Sequence, residues 1–475
     1  MSFCTSQFAL FFLYVLALYT FLPKRASRLV LLSASYLFYG YWNWYLLGLI
    51  WISTVTAHYG ALAIHREDDD ARRHRYVVAT IVLNLGILGL FKYYNFFAGS
   101  LNDLLTTFGV KVSVHHLQLL LPVGISFYTF QAIGYVVDVY RRKAPAEPSL
   151  FNTALFVAFF PQLVAGPIER VTDLMPQLKA ERRQSYEGLS AGLYLIFAGV
   201  FKKVFIADNL AFFTERVFDQ TDPTVNGTLV LLGLYAFAFQ IYCDFSGYTD
   251  IARGVARCLG MTLSMNFNLP YFATSPQDLW RRWHITLSQW LRDYLYIPLG
   301  GSRGDRFFTG RNLFLTMLLG GLWHGAAWTF VAWGAFHGLI LIVHREFRHH
   351  FPPKGSGVDD DLTLFQWGWR VVLMFHMTCI SWLFFRANSI GQAWDFLVML
   401  VTDHGYTAEV GMYAYYVLFF AWPLIGYQLW QQWRKREVVI TDLPIVVRSV
   451  IYVGALAALS ILSASDNREF IYFQF

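Results

Sequence analysis

Long apolar runs, separated by short polar segments, extend over most of the 475-residue chain. A helix needs about 20 apolar residues to cross the hydrocarbon core of a bilayer. By this criterion the pattern predicts ten membrane-spanning helices, near residues 7–23, 29–47, 48–64, 77–97, 119–140, 187–206, 227–245, 367–386, 412–430 and 447–464. No Lys or Arg precedes the first of them, so we interpret it as a retained span and not as a signal peptide.

Two further apolar stretches are interrupted by helix-breaking residues. Residues 151–168 contain two prolines and a glycine, and residues 312–343 are interrupted by Gly320, Gly321 and Gly325. Irregular backbone is tolerated at membrane depth only where it is buried in protein or lines a wet cavity. We therefore predict that both stretches are re-entrant segments that build a site.

The composition agrees with a membrane protein, since apolar residues make up 56% of the chain and charged residues only 14%. Ordinary globular domains carry about 25% charged residues. The net charge of +6 is explained by basic clusters that alternate with the predicted spans and would lie on the inner side, at residues 24–28, 66–75, 141–143 and 434–436. This arrangement places both termini outside and removes the need for a nucleic-acid partner.

The longest interruption, residues 266–311, predicts an amphipathic helix at the inner membrane surface. A Ser-Pro-Gln-Asp sequence at 275–278 is typical of a capped helix start. Apolar residues then recur at helical spacing, among them Trp280, Trp283 and Trp290. The arginines between them, such as Arg281 and Arg282, could attract a phosphate-bearing donor or could merely extend toward lipid headgroups.

Two histidines have distinctive surroundings. His324 lies inside an apolar run with glycines on both sides, and an ionisable group at membrane depth is a functional candidate by default. A neutral imidazole there could take a proton from an attacking hydroxyl, whereas the alternative is a histidine that only bonds two helices together. His284 lies 40 residues earlier, beside Arg281 and Arg282.

Polar residues occur in or beside predicted spans at two other places. One group follows the end of the span at 227–245, where buried carboxylates must pair or lose their charge, and we favour a role in locking helices together. The other group lies at the end of the broken stretch at 151–168 and indicates either a tight turn or the lining of a cavity. The residues concerned are Asp244, Ser246 and Tyr248 in the first group and Pro167 and Glu169 in the second.

Several enzyme classes lose support because their motifs do not occur in the sequence. The chain has no GxGxxG, P-loop or HExxH pattern, which disfavours nucleotide hydrolysis and zinc peptidase chemistry. Its four cysteines form no CxxC pair. We therefore expect neither a disulfide framework nor a metal site.

Four blocks of the sequence together resemble the membrane-bound O-acyltransferase (MBOAT) family. The resemblance is strongest to its bacterial branch of membrane subunits that O-acetylate alginate and other exported polysaccharides, and D-alanyl transfer proteins are more distant. It covers nearly the whole chain. The four blocks are FFPQLVAGPIER (159–170), YCDFSGYTDIARGVARCLGM (242–261), NFNLPYFATSPQDLWRRWHITLSQWLRDYLYIPLGG (266–301) and LLGGLWHGAAWTFVAWGAFHG (318–338).

The resemblance implies an all-α polytopic fold. The expected architecture is a ring of about ten or eleven transmembrane helices, with re-entrant and interfacial helices around a central funnel and tunnel. We expect one membrane domain over residues 1–475. Within it, residues 1–145 would form N-terminal helices, 146–350 the catalytic core and 351–475 C-terminal helices.

The resemblance also assigns residues. It implies two catalytic residues, His324 and His284. His324 matches the family's essential histidine in its WHG block, and His284 matches the second histidine, where many eukaryotic members carry Asn. No permanently bound cofactor and no metal are expected. The residues expected to line the substrate or donor channel are Trp323, Trp283, Arg281, Arg282, Gln289, Asp244, Ser246, Tyr248, Pro167 and Glu169.

The implied activity is acetyl transfer from a cytosolic thioester, acetyl-CoA, across the bacterial inner membrane to an exported polysaccharide such as alginate or cellulose. The expected partners are a periplasmic SGNH-hydrolase-like acetyltransferase and the polysaccharide export machinery, and both termini would be periplasmic. Two alternatives stay open. One is D-alanyl transfer from a carrier protein, and the other is a channel or transporter that forms no bonds, although no inverted repeat is visible.

Overall fold

The computed structural model describes residues 1–110, 114–180, 184–219, 224–351, 362–462 and 468–471. The regular structure of these residues is helical, without a strand. The α-helices are, in chain order, α1 Ser6–Phe21, α2 Lys24–Gly40, α3 Leu47–Arg66, α4 Asp70–Leu88, α5 Tyr94–Thr107, α6 Ile125–Tyr140, α7 Leu150–Ala158, α8 Val171–Lys179, α9 Tyr186–Val200, α10 Asp208–Phe218, α11 Gly227–Cys258, α12 Pro276–Arg282, α13 Ile285–Leu291, α14 Arg306–His324, α15 Trp328–His350, α16 Leu364–Arg386, α17 Ile390–Thr402, α18 Ala408–Arg434 and α19 Ile445–Leu462.

Short 3₁₀ and π-helical turns adjoin several of these helices. The 3₁₀ turns are Trp44–Leu46, Pro270–Phe272 and Ile440–Asp442. The π-helical turns Gly89–Tyr93 and Phe201–Ala207 join α4 to α5 and α9 to α10, and a third, Arg292–Tyr296, follows α13. Such π turns are frequent at functional sites because they re-aim side chains within a continuous helix.

Seven helical segments of the described chain are long and apolar enough to cross a membrane, and they correspond to seven of the ten predicted spans. The other three predicted spans form α1, α2 and α6, with 16, 17 and 16 residues. They are shorter because Pro23 separates α1 from α2 and a left-handed Gly124 precedes α6. The seven segments are Trp44–Arg66, Asp70–Thr107, Tyr186–Phe218, Gly227–Cys258, Leu364–Arg386, Ala408–Arg434 and Ile445–Leu462.

Helix α11 is central to the fold and packs closely against α9. A Cβ atom added at Gly199 would lie 2.5 Å from the carbonyl oxygen of Gly247, and one added at Gly254 would lie 2.5 Å from that of Gly192. Small residues at such crossings let two backbones approach closely in a membrane. Because α11 continues to Cys258, the predicted span end at residue 245 is wrong: Asp244, Ser246 and Tyr248 lie in the middle of a 32-residue helix.

The two interrupted stretches are broken in the structure as well. Helix α7 ends at Ala158, and a buried non-helical segment follows up to residue 170. The second stretch forms a hairpin of α14 and α15 that breaks only at residues 325–327. Gly321 lies in the crossing of this hairpin, where an added Cβ would come within 2.3 Å of the Phe330 carbonyl oxygen.

The predicted interfacial helix is not one helix, and its tryptophans do not face lipid. The chain breaks between α12 and α13, and Trp283, Leu287 and Trp290 are buried inside the protein. The segment before α12 holds the break in place, because Asn266 accepts hydrogen bonds from the N–H and the hydroxyl of Thr286. A 3.6-residue apolar period identifies the buried face of a helix but not whether protein or lipid covers it.

Candidate active site

His324 is the last residue of α14 and lies at the turn of the α14–α15 hairpin. Its side chain is 4% exposed. Aromatic rings surround it, with centroid separations of 5.0 Å to Trp323, 4.9 Å to Trp333 and 5.4 Å to Phe385. The broken helix therefore delivers the imidazole into an aromatic chamber that leaves little room for water.

His284 lies at the break between α12 and α13 and is fully buried. Its backbone adopts a left-handed conformation with φ of 43°, which costs a non-glycine residue about 1–3 kcal/mol and often marks functional sites. The ring centroids of His284 and His324 are 6.4 Å apart. The structure thus brings together the two histidines that the sequence singled out.

The tryptophans next to these histidines are part of the same chamber. The ring centroids of Trp323 and His284 are 5.9 Å apart, and those of Trp283 and Trp382, on α16, are 4.9 Å apart. A third buried histidine, His337, also contacts Trp333, with a centroid separation of 4.7 Å. Among the described residues, no group of three or more His, Cys, Asp or Glu side chains could hold a metal ion.

Lys92 and Tyr93 also reach this centre, and the sequence analysis missed them. The Lys92 ammonium donates to the carbonyl oxygens of Trp323 and His324, at 2.7 and 3.0 Å. The Tyr93 hydroxyl donates to the carbonyl oxygen of Leu322 at 2.9 Å. The available signal was a lysine within the apolar stretch 77–97, which the rule for intramembrane charges marks as functional.

Pro167 and Glu169 are buried in the segment that supports α13 and lie outside the spanning helices. The backbone N–H of Ile168 donates to the Thr286 hydroxyl at 3.0 Å. Glu169 accepts hydrogen bonds from the backbone N–H and the hydroxyl of Ser264, at 2.6 and 3.0 Å. Burial raises the pKa of Glu169 to about 7, and the bonds from Ser264 oppose that rise. These contacts brace the histidine-bearing break from outside the chamber.

Three of the predicted channel residues, Arg281, Arg282 and Gln289, belong to α12 and α13, and the structure gives them different surroundings. Arg281 and Gln289 are exposed. Arg282 forms an ion pair with Asp278 at 2.9 Å and lines a large cavity. Arg281 and Gln289 therefore do not line the chamber, whereas Arg282 is placed where a ligand could meet it.

That cavity has a volume of about 840 Å³ and lies between α9, α11, α18 and the segment before α12. Phe267 belongs to its lining, and the Phe267 and His284 ring centroids are 6.5 Å apart, so the cavity reaches the wall of the histidine chamber. Its polar lining includes Lys202, Ser246, Asp250, Arg282, Gln428, Lys435, Arg436 and Glu437.

Asp244 faces away from that cavity and ties α11 to the π-helical turn before α10. Its carboxylate lies 2.5 Å from the Lys203 ammonium, which also pairs with Asp208 at 2.8 Å. Ser246 instead accepts a hydrogen bond from Lys202 at 3.2 Å. Lys203, Asp208 and Asp244 line a second cavity, of about 460 Å³.

Segments near both ends of the chain contact Tyr248 on α11, and sequence reasoning missed them. The Tyr248 ring stacks against Phe3 and Phe470, with centroid separations of 4.5 and 4.6 Å. Phe470 also packs 5.8 Å from Phe245, which in turn lies 4.7 Å from the His284 ring. Only the aromatic character of the two segments could have indicated burial.

Comparison with known proteins places this site in a recognised family. The model of the MBOAT, membrane-bound O-acyltransferase family matches residues 36–390, a range that includes both histidines. A protein named "probable alginate O-acetylase AlgI" from Azotobacter vinelandii is 44% identical over 396 residues, which cover 83% of this chain and 77% of that protein.

Two other relatives carry different names. The peptidoglycan O-acetyltransferase of Helicobacter pylori is 37% identical over 412 residues, covering 80% of this chain and 74% of that protein. The teichoic acid D-alanyltransferase of Bacillus subtilis is 26% identical over 278 residues, covering 56% of this chain and 69% of that protein. All three relatives are therefore named for the transfer of an acyl group.

Proposed function

We propose a specific reaction for this chain, which belongs to the membrane-bound O-acyltransferase family and is an acyltransferase. In this proposal the protein takes an acetyl group from cytosolic acetyl-CoA for O-acetylation of an exported polysaccharide. The observation that carries the proposal is the pair of buried histidines, His324 and His284, with ring centroids 6.4 Å apart. They lie where the hairpin of α14 and α15 meets the break between α12 and α13. A base in such a dry chamber suits transfer of an acyl group to an alcohol in preference to water.

The proposed chemistry is direct acyl transfer with His324 as the general base. The imidazole takes the proton of the acceptor hydroxyl while the oxygen attacks the thioester carbonyl. The tetrahedral intermediate then breaks its carbon–sulfur bond, and the imidazolium returns the proton to the departing thiolate. The products are an O-acetyl ester and free CoA, so atoms and charges balance without a metal or a redox partner.

We assign His284 to positioning of the thioester. The centroid of its ring lies 6.5 Å from that of Phe267, which forms part of the wall of the 840 Å³ cavity. Arg282, Lys435 and Arg436 at the rim of the cavity supply charges that suit the phosphates of CoA. The cavity would then hold the donor with its acyl end toward His284.

The acceptor would enter from the opposite side of the membrane. It is either a serine of an SGNH-hydrolase-like periplasmic partner, which passes the acetyl group on, or a sugar hydroxyl. The polymer would be alginate, cellulose or a related exported polysaccharide, since relatives are named for alginate and peptidoglycan. In this proposal residues 146–350 form the catalytic core, the protein lies in the bacterial inner membrane, and both termini are periplasmic.

His324→Ala tests the proposal, with His337→Ala as a control, since His337 is a second buried histidine that also contacts Trp333. Purified protein with labelled acetyl-CoA and an alginate oligosaccharide as acceptor should consume thioester, and the His324 variant should not, at equal abundance. Activity retained in that variant would remove His324 from the mechanism. Neither thioester loss nor transferred acetyl in the wild type would favour the transporter alternative.

The acyl group itself is tested on the polymer. Mass spectrometry of exported polysaccharide from wild-type and deletion strains should show O-acetyl esters that disappear with the gene. D-alanyl esters that disappear instead would overturn the assignment of acetyl and support the activity named for the Bacillus subtilis relative.

A further inference from the structure

The C-terminus of α14 lacks the usual means of satisfying its last carbonyl groups. The last four carbonyls of a helix have no partner within the helix, and a left-handed glycine commonly follows and closes the turn. Gly325 follows His324, but its backbone is extended, with φ of −159° and ψ of 153°. Among the described residues, its N–H makes no capping bond to α14.

Lys92 supplies the missing cap from another helix. An ammonium group has three hydrogen-bond donors. The Lys92 ammonium directs them at the carbonyl oxygens of Trp323 and His324, at 2.7 and 3.0 Å, and at the Ser126 hydroxyl, at 3.4 Å. A cation at this place also offsets the partial negative charge at the end of the α14 dipole.

The place of Lys92 in its own helix also favours a dedicated role. It lies in the π-helical turn Gly89–Tyr93 of the 38-residue segment Asp70–Thr107, which is one of the spanning segments. A lysine at such depth is costly unless it is paired. Besides Ser126, its partners are the backbone carbonyl groups of Trp323 and of His324 itself.

We propose that Lys92 is a positioning residue for His324. This inference rests on the proposed function, because it presumes that His324 is the base. The ammonium holds the end of α14 in a fixed arrangement, and the imidazole thereby keeps its distance to the acceptor hydroxyl. Displacement of a catalytic group by about 1 Å can lower the rate on the order of 100-fold.

The test compares three variants at and beside this contact. Lys92→Met removes the charge and the donors, Lys92→Arg keeps both, and Tyr93→Phe removes one neutral hydrogen bond from the same helix end. Each purified protein is assayed with acetyl-CoA and an alginate oligosaccharide, and kcat, KM for acetyl-CoA and the melting temperature are measured. His324→Ala is included in the same assay.

We expect Lys92→Met to lower kcat by about 10- to 100-fold. The KM for acetyl-CoA should stay within about threefold, because the donor cavity does not include Lys92. Lys92→Arg should restore most of kcat, and Tyr93→Phe should lose less than about threefold. If Lys92→Met does not accumulate as folded protein, Lys92→Leu, which also lacks the charge and the donors, replaces it with the same expected loss.

Three results would overturn the inference. They are a Lys92→Met enzyme with wild-type kcat, a loss that appears in KM alone, and a loss in Tyr93→Phe as large as that in Lys92→Met. An inactive His324→Ala beside a normal Lys92→Met would leave the proposed function intact and reject only Lys92. An active His324→Ala would reject both.

Discussion

Adding one methyl group in the α14–α15 crossing should damage both stability and acyl transfer. In Gly321→Ala the new Cβ would lie 2.3 Å from the Phe330 carbonyl oxygen and 2.9 Å from the Gly334 Cα. These neighbours are backbone atoms, so the two helices must separate by about 1 Å, and such overpacking costs about 1–3 kcal/mol. Alanine in a helix regains up to about 1 kcal/mol over glycine, which leaves a net loss.

The effect on transfer should exceed the effect on stability, because His324 is only three residues from the crossing. We expect kcat to fall by on the order of 100-fold if the imidazole moves with the helix. Gly310→Ala in the same helix is the matched control, since its Cβ would meet only Ile342 side-chain atoms, at 3.9 Å. It should keep wild-type kcat and melt at the same temperature or slightly higher.

Thermal unfolding in detergent and acetyl transfer, measured on the two variants and the wild type, check this reasoning. We expect Gly321→Ala to have a lower melting temperature and a lower kcat than Gly310→Ala. If Gly321→Ala melts at or above the control and transfers acetyl at the wild-type rate, the hairpin tolerates separation. The close crossing would then not be what places His324.

Two further predictions concern Glu169 and Arg282. Burial raises the pKa of Glu169 from 4.5 to about 7, so the folded protein binds this proton more tightly than the unfolded chain. Its contribution to stability is therefore present below pH 4.5 and is lost as pH rises to 7, by at most about 1.4 kcal/mol per pH unit. Glu169→Gln should flatten the melting profile over that window, and parallel profiles would contradict the assignment. Arg282→Gln should raise the KM for acetyl-CoA roughly tenfold with little change in kcat. The exposed Arg281→Gln is its control, and equal effects of the two would show that only general surface charge matters.

Much of the helical framework could be predicted because the requirement for a membrane span is local. Seven of the ten predicted spans correspond to helices long and apolar enough to cross, among them α16 and α19. The bilayer demands a certain length of apolar residues whatever the rest of the chain does. The ends of the helices also depend on contacts with other helices. Helix α11 continues 13 residues past the predicted end at 245, because Asp244 and Asp250 pair with lysines of the π-helical turn Phe201–Ala207.

The surroundings of the helices could not be predicted in the same way. The spacing of Trp280, Trp283 and Trp290 indicated an apolar face, which the sequence analysis assigned to lipid. The structure buries Trp283 and Trp290 in protein and breaks the segment at His284, which adopts a left-handed conformation. Periodicity cannot tell lipid from protein as the neighbour of an apolar face, because both exclude water equally well.

By itself the sequence determined the membrane class, the broken segments and the two candidate histidines, since each is a matter of residue type at a local position. Only the tertiary structure decided that His284 and His324 share one chamber. It also decided that Lys92, 232 residues away, caps the helix that carries His324. The physical reason is that helix hydrogen bonds close within four residues, whereas contacts between helices depend on which distant surfaces meet.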